Sequence, residues 1–199
     1  GLRVSCDLNF RSKLWQWEDA KSARELAREV MWEILPYVDL LIANETDLGD
    51  VLGFRSEFSE GNLKFDLYTG LARQAVEAFS NLTHVAITLR ESLSASHNRW
   101  GGLLLDSVAD QIYFAPEQNG SYHPYNLDTI VDRVGAGDAF AAGLLHALSA
   151  EKHQSPQQAI AFAVAASCLA HSVPGDINHS NLGEIEALLG GNTAGRVLR

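Results

Sequence analysis

Residues 131–143 read VDRVGAGDAFAAG. A polar segment gives way here to two closely spaced glycines, Gly135 and Gly137. An apolar pattern with helical spacing follows, with Phe140, Leu144, Ala147 and Leu148 on one face. A helix therefore starts near Gly137, with Asp138 in its first turn. Helix N-termini carry unpaired N–H groups and partial positive charge, so they can hold an anion. The glycines would let a ligand approach the backbone while the carboxylate faces a neighbouring hydroxyl. Asp138 can equally serve the helix dipole alone, with the glycines serving a tight turn. Taken as a bare G-x-G-D, the second reading suffices.

Outward from this stretch, strands and helices alternate. Leu2, Val4 and Cys6 alternate with polar residues and predict a strand over residues 2–7. Ala23, Leu26, Ala27, Val30, Met31, Ile34 and Leu35 form one helical face that stops at Pro36. Residues 39–43, DLLIA, read as a short buried strand. A helix carrying Leu71, Ala72, Ala75, Val76 and Phe79 follows, then a strand at His84–Leu89. Residues 102–114 hold two short strand-like runs, predicted as a hairpin about Asp106–Asp110. A further helix starts at Ser155, with Pro156 first and Gln158 completing a capping box, and another begins at Asn181 with Glu184 three residues on. The stretches 54–62 and 117–126 read as surface loops. Such alternation predicts an α/β domain, with helices on both faces of a largely parallel sheet and ligands beyond the carboxyl ends of its strands.

The chain has 199 residues, enough for one domain. Lys plus Arg is 15 against 25 for Asp plus Glu, a net charge of -10. That balance argues against nucleic acid or an anionic membrane surface as partner. Cys6 and Cys168, the two cysteines, form no C-x-x-C, so neither a disulfide framework nor structural zinc is expected and the cytoplasm is the default compartment. The longest apolar run, residues 159–170, falls short of the roughly 20 residues of a membrane span. Trp15, Trp17, Trp32 and Trp100 are expected in the core or an interface rather than as a stacking platform. His171 is expected to be a helix-end cation or a packing residue.

In its fixed positions, Asp132, Arg133, Gly135, Ala136, Gly137, Asp138, Phe140 and Gly143, the opening stretch resembles the D-[TR]-x-G-A-G-D-x-F-x-x-G signature of the ribokinase-like (PfkB) carbohydrate kinases. The resemblance implies a ribokinase-like α/β fold and ATP-dependent phosphorylation of a sugar hydroxyl. Asp138 would be the general base, and the amides of Gly135, Ala136, Gly137 and Asp138 an anion hole for the transferring phosphoryl group. That division of labour suits phosphoryl transfer, in which positioning and charge stabilisation dominate.

Four further stretches extend the likeness. Residues 7–15, DLNFRSKLW, are similar to the D-x-N-x-R-x-x-L-W of 2-keto-3-deoxygluconate kinases, which implies that Arg11 binds the sugar-acid carboxylate and that Asn9 lies near substrate or phosphates. A guanidinium fork suits a carboxylate. Asn44, Glu45 and Asp47 resemble the family's N-x-x-E, which implies help in placing Mg²⁺, through water, and phosphate; Asp47 stands where the family has Glu. In residues 86–90, AITLR, Thr88 fits the ATP-site strand, while Arg90 replaces a common glycine and either contacts a phosphate or is solvated. Residues 170–178, AHSVPGDIN, resemble the K-H-S-x-P-G-D of keto-deoxygluconate kinases, with Asp176 turned to a substrate hydroxyl. The implied cofactors are ATP and Mg²⁺, with K⁺ near Asp132 as an option. The implied partners are a small sugar or sugar acid and, as an option, a second copy of the chain.

The resemblance runs from about Arg3 to Leu189. Residues 1–199 therefore read as the C-terminal, ATP-binding and catalytic portion of such a kinase, with the N-terminal Gly-Gly substrate loop and lid expected in a longer gene product. The favoured expectation is phosphorylation of 2-keto-3-deoxygluconate to its 6-phosphate. The alternatives are a ribokinase-like kinase for another sugar or sugar acid, and a catalytically silent nucleotide-binding fragment.

Overall fold

The computed structural model describes residues 1–55, 63–92, 94, 97–150 and 155–191. The chain divides into two compact units, residues 1–87 with 103–112 and residues 88–102 with 113–199.

In the first unit, β1 (Ser5–Asp7) pairs in parallel with β2 (Leu40–Ala43), Cys6 opposite Leu41. β2 pairs in parallel with β3 (His84–Ser92), Ile42 opposite Ala86. All four residues of β2 are buried, as a strand covered on both faces requires. The connection between β1 and β2 is α1 (Ala23–Ile34). A capping box opens it: the Ser22 side chain accepts from Glu25 N–H while the Glu25 carboxylate accepts from Ser22 N–H. Pro36 cannot continue an α-helix, and the chain tightens to a 3₁₀ turn at Leu35–Tyr37. After β2, the one-turn α2 (Glu45–Asp47) runs into a π-helical turn, Leu48–Leu52, which ends at Gly53 with φ +76°. The longer α3 (Leu63–Ala78) then leads into β3. Leu26, Ala27, Leu35, Leu41, Leu48, Leu71, Ala75 and Val85 are among the buried side chains of this unit.

The sheet continues in the order β1-β2-β3-β4-β5, with β4 at Asn98–Asp106 and β5 at Gln111–Ala115. Between β4 and β5 the Asp106 carboxylate accepts from Val108 N–H and Ala109 N–H, and Asp110 adopts φ +51°. Both strands are longer than the short runs expected for this hairpin. The sheet is thus mixed: parallel through β1, β2 and β3, with the short β8 (Tyr125–Leu127) antiparallel on β4.

In the second unit, α4 (Ala136–Ser149) lies against α5 (Pro156–Ala170). A Cβ on Gly143 would stand 3.0 Å from Ala163 Cα, so glycine permits their close approach. The alanine-rich run that was too short for a membrane span is α5, apolar on nearly every side because it is buried. No described helix is long and apolar enough to cross a membrane. The final helix, α6 (Leu182–Leu189), carries the expected Asn181–Glu184 capping box.

Several expectations need correction. The strand predicted over residues 2–7 begins only at Ser5, and Leu2 is almost fully exposed. The Ser155 side chain accepts from Gln158 N–H as expected, but its hydroxyl donates to Gln158 Oε1, so only half of the capping box is present. Residues 117–126 are not one loop: 117–122 form a small ribbon, and Tyr125 and Asn126 belong to β8. Asn119 (φ +54°) and Gly120 (φ +76°) both take the left-handed conformation that joins tight hairpins, pairing β6 (Glu117–Gln118) with β7 (Ser121–Tyr122). Of the other predicted loop, residues 56–62 lie outside the described residues. Of the tryptophans expected in the core or an interface, Trp100 is in the core, and Trp17 and Trp32 lie outside it, Trp17 with its ring 5.1 Å from that of Trp15.

Gly102 lies in β4 where a Cβ would meet Val164 at 2.8 Å and Ile160 and Phe140 at 3.0 Å. Gly102→Ala should therefore lower unfolding free energy by about 1–3 kcal/mol through overpacking. Urea titration of both proteins measures it, and an unchanged midpoint would show that the neighbouring side chains yield freely.

Candidate active site

In the second unit the chain reaches α4 through a loop held from two directions. Val131 N–H and Asp132 N–H both donate to the carbonyl of His171, at 2.9 and 3.4 Å. The Asp132 carboxylate accepts from three backbone amides: Arg133 at 2.7 Å and Val134 at 3.1 Å on Oδ1, and Gly175 at 3.0 Å on Oδ2. Those amides hold its pKa below the ordinary carboxylate range. Asp132 thereby joins the loop before α4 to the Pro174-Gly175-Asp176 turn. A K⁺ ion beside Asp132 would have to share oxygens that these three amides already engage.

Gly135 completes the junction. It has φ +77°, and a Cβ there would collide with the backbone carbonyl of Asp176. Only glycine satisfies both conditions. The first backbone bond of α4 runs from Ala139 N–H to Gly135 O, and no side chain among the described residues caps the helix. The N–H groups of Ala136, Gly137 and Asp138 therefore have no intrahelical acceptor. A Cβ on Gly137 would meet no atom within 4 Å, so protein packing does not explain this glycine. Asp138 is exposed in the first helical turn, and its carboxylate has no hydrogen bond or ion pair among the described residues.

Asp176 has its backbone against Gly135 and its side chain exposed. Thr88 is half-buried and Arg90 exposed, both on β3. His171 is a packing residue and no cation. It is buried, its Nδ1 lies 2.8 Å from Ser167 O, and its ring meets Trp100 edge-on at 4.8 Å. Burial pulls its pKa down, helped by the charges of Arg133 and Arg90 and opposed by the Ser167 carbonyl. Ser167 belongs to no motif and escapes a reading by sequence alone, yet its hydroxyl donates to Ala136 O at 2.7 Å. The one available signal was a lone hydroxyl in an otherwise small and apolar helix.

In the first unit, the ends of β1 and β2 form a second group. Leu8 N–H donates to Ile42 O at 3.0 Å, and Asn9 then turns the chain with φ +33°. Arg11 is exposed, with one guanidinium N–H on Phe10 O at 3.2 Å. Asn44 caps α2 by accepting from Asp47 N–H at 2.8 Å, and its amide donates back to Asp47 Oδ2 at 2.8 Å. Phe10 N–H also donates to the Asp47 carboxylate. Asp47 is buried, and desolvation pushes its pKa up to about 6 despite Phe10 N–H and the Arg11 charge; Asp7 and Asp50 push the same way as burial.

Asn9, Arg11, Asn44 and Asp47 thus belong to one local arrangement, with Asp47 as its hub. Glu45 is half-exposed beside it. Among the described residues no group of three or more His, Cys, Asp or Glu could hold a metal by itself. Asp47 turns its oxygens to Asn44 and Phe10, and Asn44 Oδ1 already accepts from Asp47 N–H, so the oxygen donors left to this group are the second lone pair of Asn44 Oδ1 and the half-exposed Glu45 carboxylate. These fit a hydrated Mg²⁺ that arrives with a phosphate.

Residues 107–182, which include both the turn before α4 and the Pro174-Gly175-Asp176 turn, match the pfkB family carbohydrate kinase profile. A 2-dehydro-3-deoxygalactonokinase of Haloferax volcanii is 31% identical over 195 residues, covering 98% of this chain and 49% of that protein. The crystal structure of a 2-dehydro-3-deoxygluconokinase from Thermotoga maritima superposes with a TM-score of 0.78 at 39% identity, covering 96% of this chain and 51% of that one. A PfkB family carbohydrate kinase from Listeria grayi superposes with a TM-score of 0.75 at 28% identity, over 96% and 51%. The chain spans about half the length of these relatives. The glycine turn braced by Asp132, the helix start behind it and these likenesses agree: residues 107–182 match the pfkB carbohydrate kinase family, and the chain is similar over nearly its whole length to about half of each of these kinases.

Proposed function

We propose that the protein transfers the γ-phosphoryl group of ATP to a hydroxyl of a sugar acid of the 2-keto-3-deoxygluconate class, giving the 6-phosphate. One observation carries this reading. Three amides at the start of α4 lack intrahelical acceptors, a glycine among them meets no packing neighbour, and the Asp138 carboxylate in the same helical turn has no partner among the described residues. Amides so placed hold a phosphoryl oxygen, and the carboxylate takes the proton of an attacking hydroxyl. Support for a sugar acid comes from exposed Arg11 and from the activities named for the relatives in Haloferax volcanii and Thermotoga maritima.

Roles follow within each unit. In the second, Asp138 is the general base and the Gly135, Ala136, Gly137 and Asp138 amides the anion hole. Asp176 receives a substrate hydroxyl, and Thr88 and Arg90 belong to the nucleotide side. In the first, Arg11 takes the carboxylate and Asn9 a neighbouring polar group. Mg²⁺ bound with ATP supplies charge neutralisation along the phosphates, and Asn44 and Glu45 are the residues that would hold it, through water. Asp47 acts as the anchor of that group and not as a ligand.

The test of the whole reading is a coupled assay of the whole protein with ATP–Mg²⁺ and 2-keto-3-deoxygluconate. Turnover of the acid supports it, and equal turnover of neutral hexoses would remove the carboxylate assignment. Asp138→Asn should lower kcat about 10²- to 10⁴-fold while ATP still binds, because the amides are unchanged. Retention of more than about a tenth of the rate contradicts a general-base role.

Arg11→Ala should raise KM for the sugar acid by one to two decades and leave KM for ATP nearly unchanged. A charged hydrogen bond contributes about 1.5–3 kcal/mol. Steady-state kinetics with each substrate varied in turn separates the two.

Asp47 supplies a pH prediction. Its folded pKa, about 6, lies above the unfolded value of 3.8. The stability linked to its proton is thus full below the unfolded value and lost as pH rises through about 6. Asp47→Asn should therefore gain stability relative to the parent as pH rises from about 4 to 7. Thermal unfolding across that range measures the difference, and parallel curves would show that the carboxyl does not titrate there.

A further inference from the structure

Ser167 and His171 are four residues apart on α5 and its C-terminal turn, so they share a face. That face meets the segment 131–136 at both ends. The Ser167 hydroxyl donates to Ala136 O at 2.7 Å, and the His171 carbonyl accepts from Val131 N–H at 2.9 Å and Asp132 N–H at 3.4 Å. The imidazole adds a side-chain bond to this last turn. The His171 backbone N–H donates to the carbonyl of Cys168, at 3.2 Å, and so tightens the turn. The Ser167 carbonyl instead receives the ring Nδ1–H at 2.8 Å. A carbonyl can only accept, so Nδ1 is the protonated nitrogen. The ring itself is gripped by the buried Trp100 edge, with Asn98 buried on the same strand and bonded through Oδ1 to Arg133 at 3.4 Å.

We propose that His171 is a positioning residue for the phosphate turn: its imidazole closes the last turn of α5, and that turn holds residues 131–136 at both ends. A sub-ångström shift of α5 would move the Ala136, Gly137 and Asp138 amides together. The proposal rests on the kinase reading only in taking this turn as the place where phosphate lies.

Three variants of the chain test it: His171→Leu, His171→Asn and Ser167→Ala. Amide exchange at Val131 and Asp132, followed by NMR, reads the clamp without any nucleotide, and calorimetry reads ATP–Mg²⁺ affinity. His171→Leu removes the ring donor. It should speed exchange at both amides and weaken ATP about three- to tenfold, the worth of one hydrogen bond. His171→Asn keeps an N–H near the Nδ1 position and should restore both readouts to within about twofold of the parent. Ser167→Ala should weaken ATP while leaving exchange at Val131 and Asp132 unchanged, since it frees the other end. Unchanged exchange in His171→Leu overturns the proposal, and so does a His171→Asn variant that behaves like His171→Leu. If His171→Leu does not fold, the other two variants decide. A parent protein that binds no ATP–Mg²⁺ would refute the kinase reading, and the exchange data would still decide the clamp.

Discussion

Three backbone amides converge on the carboxylate of Asp132, and the site before α4 depends on that convergence. A loop that must present bare N–H groups cannot be held by its own ladder of hydrogen bonds. Here the negative charge of one side chain substitutes for the ladder, binding two amides of its own loop and one of the Pro174-Gly175-Asp176 turn. Charge-assisted bonds of this kind are stronger than neutral ones and fix direction as well as distance. With the two segments drawn together, Gly135 has no room for a Cβ, and α4 must start where it does.

The first unit uses the same device with a different electrostatic outcome. Asp47 receives the Asn44 amide and Phe10 N–H, and so ties the loop after β1 to the start of α2. Asp132 is solvated and its amides keep it ionised. Asp47 is buried, so desolvation outweighs its hydrogen bonds and the charged form is disfavoured. One residue type therefore gives a permanent anchor in one place and a titrating one in the other. The difference lies in burial and not in the number of partners alone.

Much of the site was legible because its residues are adjacent in sequence. Gly135, Ala136, Gly137 and Asp138 sit within one turn of helix, and a helix start is a local property set by caps, glycines and apolar spacing. The Asn44 cap and the Asn181–Glu184 capping box are legible for the same reason. The ribbon at residues 117–122 was legible too, since Asn119-Gly120 is a strong hairpin signal, but the polar composition around it pointed to a loop. The half-formed box at Ser155 shows the limit of such rules: the pattern was present, yet the Gln158 side chain accepts from the hydroxyl instead of the backbone.

By itself the sequence determined the alternation of strands and helices, the place of the glycine turn and the likeness to pfkB carbohydrate kinases, because each rests on local spacing or on a contiguous motif. Tertiary structure decided what each polar side chain is for. Nothing in the local sequence separates Asp132, spent on amides, from Asp138, which has no partner among the described residues, or a solvated Asp from the buried Asp47. Nor does it make His171 a neutral packing residue under Trp100 or pair Ser167 with Ala136. These outcomes depend on burial and on partners dozens of residues away, such as Gly175 for Asp132. Burial and distant partners exist only once the chain has folded.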